Sequence, residues 1–444
     1  MAGTGLLTDR YELSMAAAYV AEGLAERPAT FSLFVRSLPP TRGFLVAAGL
    51  DEALTRLEEL RYTDDDLSRL ESLGGLPPAL LERLARLRFT GSVRAVPEGT
   101  VAFAGEPLLE VTGPLVEAQL VETILLNVLT TATTLASKAA RYRQAAAGRP
   151  VVDFAFRRAQ GVDAAMALVR AGALCGLAAT SNVAGALRHG VPASGTMAHS
   201  YVQVHAREAE AFEAYARLFG DDAVLLVDTY DTGVGVERAI EVLGRLAGEG
   251  IRPRAIRLDS GDLAALAFDA RRRLDEEGLG GVQVLASGGL DEHRVADLVA
   301  AGAPIDGFGV GSDLGVSADA PVLDTVYKLV AFDGRPVRKR STGKATWPGA
   351  KQVWRREGWA GDVLALAAEP GPADGAEPLL VEVMANGTRT AAGRATLAEG
   401  RARFEAQWAS LPVATRRLVD PRSVPVEASA ALTTLTADLD GDGS

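Results

Sequence analysis

The chain has 444 residues, 48% hydrophobic and 23% charged, with a formal net charge of −11. Such a length buries a sizeable core and leads to an expectation of two domains, while the acidic balance excludes a surface built to neutralise nucleic-acid phosphates, which needs clustered Lys and Arg. Cys175 is the single cysteine and the histidines number four, which excludes an intrachain disulfide and a cysteine-based zinc cluster.

The N-terminal MAGTGLLTDRYELSM lacks the charged start and apolar stretch of a signal peptide. The nearest thing to a membrane span, 171–187, contains Gly172, Gly176, Thr180, Ser181 and Asn182 and reads as a buried αβ segment. A cytoplasmic protein with no membrane or nucleic-acid partner is expected. Periodicity predicts a helix over 6–23 and a strand in ATFSLFVRSLP. Further helices follow over 50–60 and 64–87, interrupted at GGLPP, then short strands over 91–112 and a long helix over 115–147.

From Pro150 onward short apolar runs alternate with amphipathic stretches, giving six or seven strand-helix units. VVDFAF, CGLAATSNV, VPASGTMAHS, AVLLVDTYDTG, RAIRLDSGDL, VQVLASGGLDE and DGFGVGSDLG carry the strands. Runs of this kind read as right-handed βαβ repeats of a parallel sheet, near a TIM-type closure. Functional groups of such sheets gather at the carboxyl ends of the strands. Here those ends offer acids, arginine, small hydroxyls and glycines, a mixture that suits a phosphorylated sugar.

Phe154 and Phe156 beside Arg157 and Arg158 could hold a planar aromatic carboxylate by stacking and charge, although two core aromatics and a solvated arginine pair are the simpler reading of that segment alone. A lone histidine is more often structural than catalytic. His199 is raised above that by its place just after Gly195 and Thr196 at a strand end. Asp228, Asp231, Asp259 and Asp262 at consecutive ends are acceptors for vicinal ribose hydroxyls or carboxylates for a magnesium-bound pyrophosphate. Gly309, Gly311 and Ser312 in GFGVGSDLG form a candidate phosphate cradle, aided by a following helix start. STGKATWPG lacks P-loop spacing. An aldolase-type reading would need a Schiff-base lysine, and Lys138, Lys328 and Lys344 do not end central strands.

Together TDRYELSM, DFAFRRAQG, TSNV, SGTMAHS, LLVDTYDT, RLDSGDL, ASGGLDE, FGVGSDLGVS, VYKLV and WPGAKQV resemble the nicotinate phosphoribosyltransferase family of type II phosphoribosyltransferases, in unbroken order from about residue 6 to 408. The resemblance implies an irregular TIM-like α/β barrel plus an α+β sandwich domain built from both termini. The corresponding boundaries are 1–135 for the N-terminal part with its bridging helix and 136–325 for the barrel with the active site. A returning C-terminal segment covers 326–430 and a disordered tail 431–444. It further implies a homodimer that converts nicotinate and phosphoribosyl pyrophosphate to nicotinate mononucleotide and pyrophosphate, with ATP as co-substrate and Mg2+ as cofactor, in NAD salvage.

Carried onto this chain, the resemblance makes His199 a histidine phosphorylated by ATP. Tyr11 becomes a residue that covers the pyridine ring in the neighbouring subunit, and Phe154 stacks on the ring's other face. Arg157, Thr196 and Arg257 fall at nicotinate-site positions, with Asp228 and Asp259 at ribose and magnesium positions. Ser287, Gly289, Gly309, Gly311 and Ser312 serve the ribose and phosphate. Ser181 stands where nicotinamide-using relatives carry an acid, and its neutrality favours a carboxylate substrate. The family reads ASGDLDE where this chain reads ASGGLDE, which assigns the missing acid to Gly288. Asp313 adds a negative charge beside the cradle. Alternatives are a nicotinamide- or quinolinate-using transferase and a catalytically silent paralogue.

Overall fold

The computed structural model describes residues 4–441. The chain divides into two units, Lys138–Pro321 and one formed by the chain before it together with the chain from Val322 onward; the bounds expected from the sequence for the central domain are 136–325.

The central unit is built on six parallel strands. Their spatial order is Ala179–Thr180, Val151–Asp153, Gly307–Val310, Gln283–Ala286, Ala255–Leu258 and Val224–Leu226. Leu225, Leu226, Ile256, Leu258, Val284 and Val310 are fully buried, because sheet strands covered by helices on both faces need apolar side chains in both directions. Helices return the chain between strands, and their starts are capped by side chains. Asp231 accepts from Val234 N at 2.9 Å, Asp262 from Ala265 N at 3.2 Å and Asp291 from Arg294 N at 2.6 Å.

This sheet is a half-barrel with two edges rather than a closed ring. Residues 191–198, expected to add a strand, contribute an isolated parallel bridge between Thr180 and Ala193. Pro192 lacks the N–H a ladder requires, and Gly195 weakens an extended run.

The other unit joins strands from both ends of the chain. Its larger sheet has seven strands in the order Arg335–Pro336, Thr325–Phe332, Pro28–Val35, Pro107–Pro114, Ser92–Ala95, Val381–Ala385 and Thr388–Arg389, all antiparallel. Leu33 lies opposite both Tyr327 and Leu109. The Phe31 and Tyr327 rings stack at 4.8 Å, and the Tyr327 hydroxyl donates to Ala118 O at 2.7 Å, which satisfies the polar tip of a buried ring. A four-stranded sheet comprises Glu377–Pro378, Lys351–Arg355, Asp362–Leu366 and Val426–Ala428.

Two local expectations are corrected. The long helix is broken at Val121 into Leu115–Leu120 and Glu122–Ala146. The tail expected to be disordered is helical over Ala430–Gly441, because Ser429 Oγ caps its start through Leu432 N at 3.0 Å and the Leu432 side chain is fully buried. Residues 442–444 of that expected tail lie outside the described residues. Among the described residues no helix is long and apolar enough to cross a membrane.

Glu106 and Asp362 are buried together beside Arg355, whose Nη2 lies 2.5 Å from Asp362 Oδ2 and whose guanidinium packs against the Phe103 and Trp359 rings. Burial, and next the adjacent Asp362, push the Glu106 carboxyl well above the carboxylate range. The fold therefore favours protonated Glu106, and stability is lost as pH rises from the unfolded value of about 4.3 through the raised folded value. Glu106→Gln keeps the acceptor for Phe103 N and removes that loss. Calorimetric melting should show the variant within about 2 °C of the parent near pH 4 and more stable by several degrees at pH 8.

Candidate functional site

The carboxyl ends of the central strands carry most of the predicted residues, and a lateral chain of hydrogen bonds ties three of those ends together. Asp228, two residues beyond Val224–Leu226, accepts through Oδ2 from Asp259 N at 3.1 Å and from Ser260 Oγ at 2.6 Å. Asp259, one residue beyond Ala255–Leu258, accepts through Oδ1 from the Ser287 hydroxyl. Each carboxylate thus has one oxygen committed to the neighbouring strand end. Asp228 Oδ1 is buried without a hydrogen-bond partner, and Asp259 Oδ2 lies 3.9 Å from His199 Nε2.

His199 opens the short helix His199–Gln203. Its side chain is 43% exposed, and its Nδ1 lies 3.3 Å from Thr229 Oγ1. Thr229 directly follows Asp228 in LLVDTYDT, and nothing in the sequence alone singles it out. Met197, buried two positions earlier, anchors the backbone that presents the imidazole.

Arg257 is the cation of the site. Its Nη1 donates to Thr196 Oγ1 at 2.6 Å, its Nη2 donates to Met197 O at 3.2 Å, and its Cζ lies 6.0 Å from the Phe154 ring centroid. Burial pulls its pKa down, Asp259 and Asp228 counter that, and Arg157 adds to the lowering; arginine stays charged under such shifts. Its Nε is buried without a partner. Asp228 Oδ1 and Arg257 Nε are thus two buried polar atoms without a partner on neighbouring strands, each carrying a cost of about 1–3 kcal/mol.

Phe154 follows Val151–Asp153, and its ring occupies the space a side chain at Gly309 would need: a Cβ there would sit 2.4 Å from the ring. Gly309 lies within the ladder, opposite Val152, so its smallness serves Phe154 before any phosphate. Asp153, also unanticipated, is buried and accepts from Ala155 N and Thr180 Oγ1, both at 2.7 Å. Burial raises its pKa. Ser181 N donates to Asp153 O at 2.7 Å, which places Ser181 at the next strand end. Arg157 is exposed in the turn Phe156–Arg158. Tyr11 belongs to the other unit, on the helix Arg10–Ala21, where it is 47% exposed.

Several expectations change. Asp231 and Asp262 are helix caps, so their carboxylates are engaged locally. Ser287 Oγ is engaged by Asp259. The helix after Gly311 is the single turn Ser312–Gly315, too short to bring much dipole to the cradle. Asp313 does not point its charge at that cradle: Oδ2 lies 2.6 Å from Lys138 Nζ and accepts from the Tyr142 hydroxyl at 2.8 Å.

The glycine assignment also moves by one position. Letter for letter, ASGDLDE pairs its glycine with Gly288 and its acid with Gly289. Gly288 has φ +84°, and a Cβ on it would lie 1.7 Å from Asp259 O; Gly289 has φ +60° with open space around it. The position that must be glycine is therefore Gly288, while the αL site at Gly289 tolerates an aspartate.

Magnesium commonly binds through one or two carboxylates plus substrate phosphates. Asp228 and Asp259, each with one oxygen not committed to the neighbouring strand end, fit that requirement. Among the described residues no group of three or more His, Cys, Asp or Glu forms a metal cage.

Similarity to known proteins decides the family. The chain is 49% identical over 428 residues to a nicotinate phosphoribosyltransferase (pncB2) of Mycobacterium tuberculosis, covering 96% of this chain and 91% of that protein. The chain belongs to the nicotinate phosphoribosyltransferase family. Residues 6–130 match the family model for the nicotinate phosphoribosyltransferase (NAPRTase) N-terminal domain, and residues 368–436 match that for the C-terminal domain. The crystal structure of human nicotinic acid phosphoribosyltransferase superposes with a TM-score of 0.86 at 31% identity, covering 97% of this chain and 99% of that one. A nicotinate-nucleotide pyrophosphorylase from Pyrococcus furiosus superposes at 0.76 with 26% identity, covering 91% and 95%.

Gly288→Ala and Gly289→Ala separate the two glycines. By thermal denaturation Gly289→Ala should cost about 1 kcal/mol, the ordinary cost of a side chain at positive φ. Gly288→Ala, which must also move the Asp259 carbonyl, should cost about 3 kcal/mol or more.

Proposed function

We propose that this enzyme transfers the phosphoribosyl group of phosphoribosyl pyrophosphate to the ring nitrogen of nicotinate in NAD salvage, with ATP hydrolysis coupled through His199. The observation that carries this reading is the grouping of Phe154, Thr196 and Arg257 beside His199, Asp228 and Asp259 at the ends of one parallel sheet, in a chain of this family. Fold alone would not separate nicotinate from quinolinate, since one fold hosts both chemistries. The cations here, Arg157, Arg158 and Arg257, suit one carboxylate better than two.

In the transfer the pyridine nitrogen forms a bond to the anomeric carbon as the bond to pyrophosphate oxygen breaks, through an oxocarbenium-like centre. The protein's task is positioning and charge neutralisation. Phe154 supplies a face for the ring, and Arg257, steered by Thr196, meets the nicotinate carboxylate with Arg157 in support. Ser181 keeps that region free of negative charge, whereas an aspartate there would repel the carboxylate. Asp228 and Asp259 hold the ribose and would bind Mg2+, which supplies charge neutralisation to the leaving pyrophosphate. Gly289, Gly311 and Ser312 line the phosphate end, with Ser287 and Gly309 acting through Asp259 and Phe154.

In the tautomer that donates Nδ1–H to Thr229 Oγ1, His199 Nε2 keeps its lone pair and would take the γ-phosphoryl group as ADP leaves; water later cleaves the N–P bond and phosphate departs. We further read the half-barrel as the arc of an irregular barrel, the protein as a cytoplasmic homodimer, and Tyr11 as a ring-covering residue donated to the partner's site.

Purified protein should form nicotinate mononucleotide, with ATP raising the yield. His199→Ala should keep ATP-independent formation and lose the ATP effect, read by product chromatography; an unchanged ATP response would reject the histidine's role. Ser181→Asp should lower kcat/KM for nicotinate by about 100-fold, and a parent enzyme that used nicotinamide as well as nicotinate would overturn the substrate assignment.

A further inference from the structure

Lys138, Arg141 and Tyr142, at i, i+3 and i+4 on the helix Glu122–Ala146, share one face. That face is buried but polar. Lys138 is 1% exposed, and its Nζ lies 2.5 Å from Glu292 Oε2, 2.6 Å from Asp313 Oδ2 and 3.2 Å from Asp319 Oδ1. Arg141 Nε lies 2.7 Å from Glu292 Oε1 and 3.6 Å from Asp319 Oδ2. The Tyr142 hydroxyl reaches Leu290 O at 2.9 Å and Asp313 Oδ2 at 2.8 Å, its one proton serving one of them at a time.

The three carboxylates come from two different turns. Glu292 closes the turn that begins at Gly288 after the strand Gln283–Ala286, while Asp313 and Asp319 follow Gly311–Ser312 after Gly307–Val310. We propose that Lys138 is a positioning residue for phosphoribosyl pyrophosphate: its buried ammonium, with Arg141 and Tyr142 beside it, binds the turn of Gly288 and Gly289 to the turn of Gly311 and Ser312 and so sets the gap that receives the sugar phosphate. This inference rests on the functional reading above.

Energetics favour geometry over stability as the reason for the network. Burying an ammonium among carboxylates returns little net stability compared with apolar packing of the same volume, yet it dictates where each carboxylate must sit. Burial works against the Lys138 charge, but Glu292, Asp319 and Asp313 outweigh it and raise its pKa. At neutral pH the ammonium and its hold on both turns persist. Lys138 touches no strand-end residue of the nicotinate side, so its loss should fall selectively on the phosphate side.

The test is titration calorimetry of the full-length protein with phosphoribosyl pyrophosphate and Mg2+, alongside steady-state kinetics. Lys138→Met should weaken donor binding by at least about tenfold, with the KM for nicotinate changed by less than about threefold. Lys138→Arg should recover most of the loss. Should Lys138→Met fail to fold, Glu292→Gln leaves Lys138 its two aspartates, removes the charge through which the 288–292 turn is held by Lys138 and Arg141, and should show the same selective loss. Donor binding by the folded variant within about twofold of the parent would overturn the inference. So would a parallel rise in both KM values with no rescue by arginine, the signature of general structural damage. A parent protein that binds no phosphoribosyl pyrophosphate would instead overturn the functional reading and this inference with it.

Discussion

The constraint on which the site depends is the side-chain bonding between adjacent strand ends. Asp228 accepts from the backbone and hydroxyl that follow the next strand, and Asp259 accepts from the hydroxyl that follows the one after. A parallel ladder stops supplying backbone partners where its strands stop, and the chain beyond would otherwise be free to splay. Here carboxylates continue the cross-links for one more layer. The same groups that close the ladder therefore keep one carboxylate oxygen apiece uncommitted, so the stability of the rim and the chemistry proposed for it draw on the same residues.

A consequence is that polar groups in this protein cannot be sorted into structural and functional by type. Asp231, Asp262 and Asp291 cap helices, and Asp313 is spent on Lys138, although all four stand beside glycines and hydroxyls in segments with the same look as those of Asp228 and Asp259. What separates them is the partner each carboxylate finds. Local N–H groups three residues on define a cap, while a neighbouring strand end defines a rim residue.

Much of this was legible in the residues. Short apolar runs such as AVLLV and GFGV announce buried parallel strands, and the ordered motifs pointed to the family before any coordinates. The rest was hidden for identifiable reasons. The segment 191–198 pairs with the sheet only through the bridge at Ala193, and periodicity does not register how much of a run the ladder takes up. Thr229 escaped notice because a hydroxyl announces a contact only when its partner's position is known. Gly288 and Gly289 are told apart by aligning ASGGLDE with ASGDLDE letter for letter, and the approach of Asp259 O to Gly288 supplies the physical reason. The helix Ala430–Gly441 is hidden by a polar, glycine-containing end; a buried leucine and a serine cap hold its start, and Arg338 and Arg340 bind its last turn through Asp440. Lys138 was weighed as a Schiff-base lysine and dismissed because it ends no strand; its three carboxylates, 154 to 181 positions away, are joined to it by tertiary structure alone.

The central claim is that one rim of the half-barrel receives both substrates, and a crystal structure of the protein with nicotinate, phosphoribosyl pyrophosphate and Mg2+ tests it most directly. The account predicts the pyridine ring on the Phe154 face with its carboxylate at Arg257, ribose and metal at Asp228 and Asp259, and the 5-phosphate between the turns of Gly289 and Gly311. Density for the donor away from these strand ends, or a nicotinate carboxylate remote from Arg257, would contradict it.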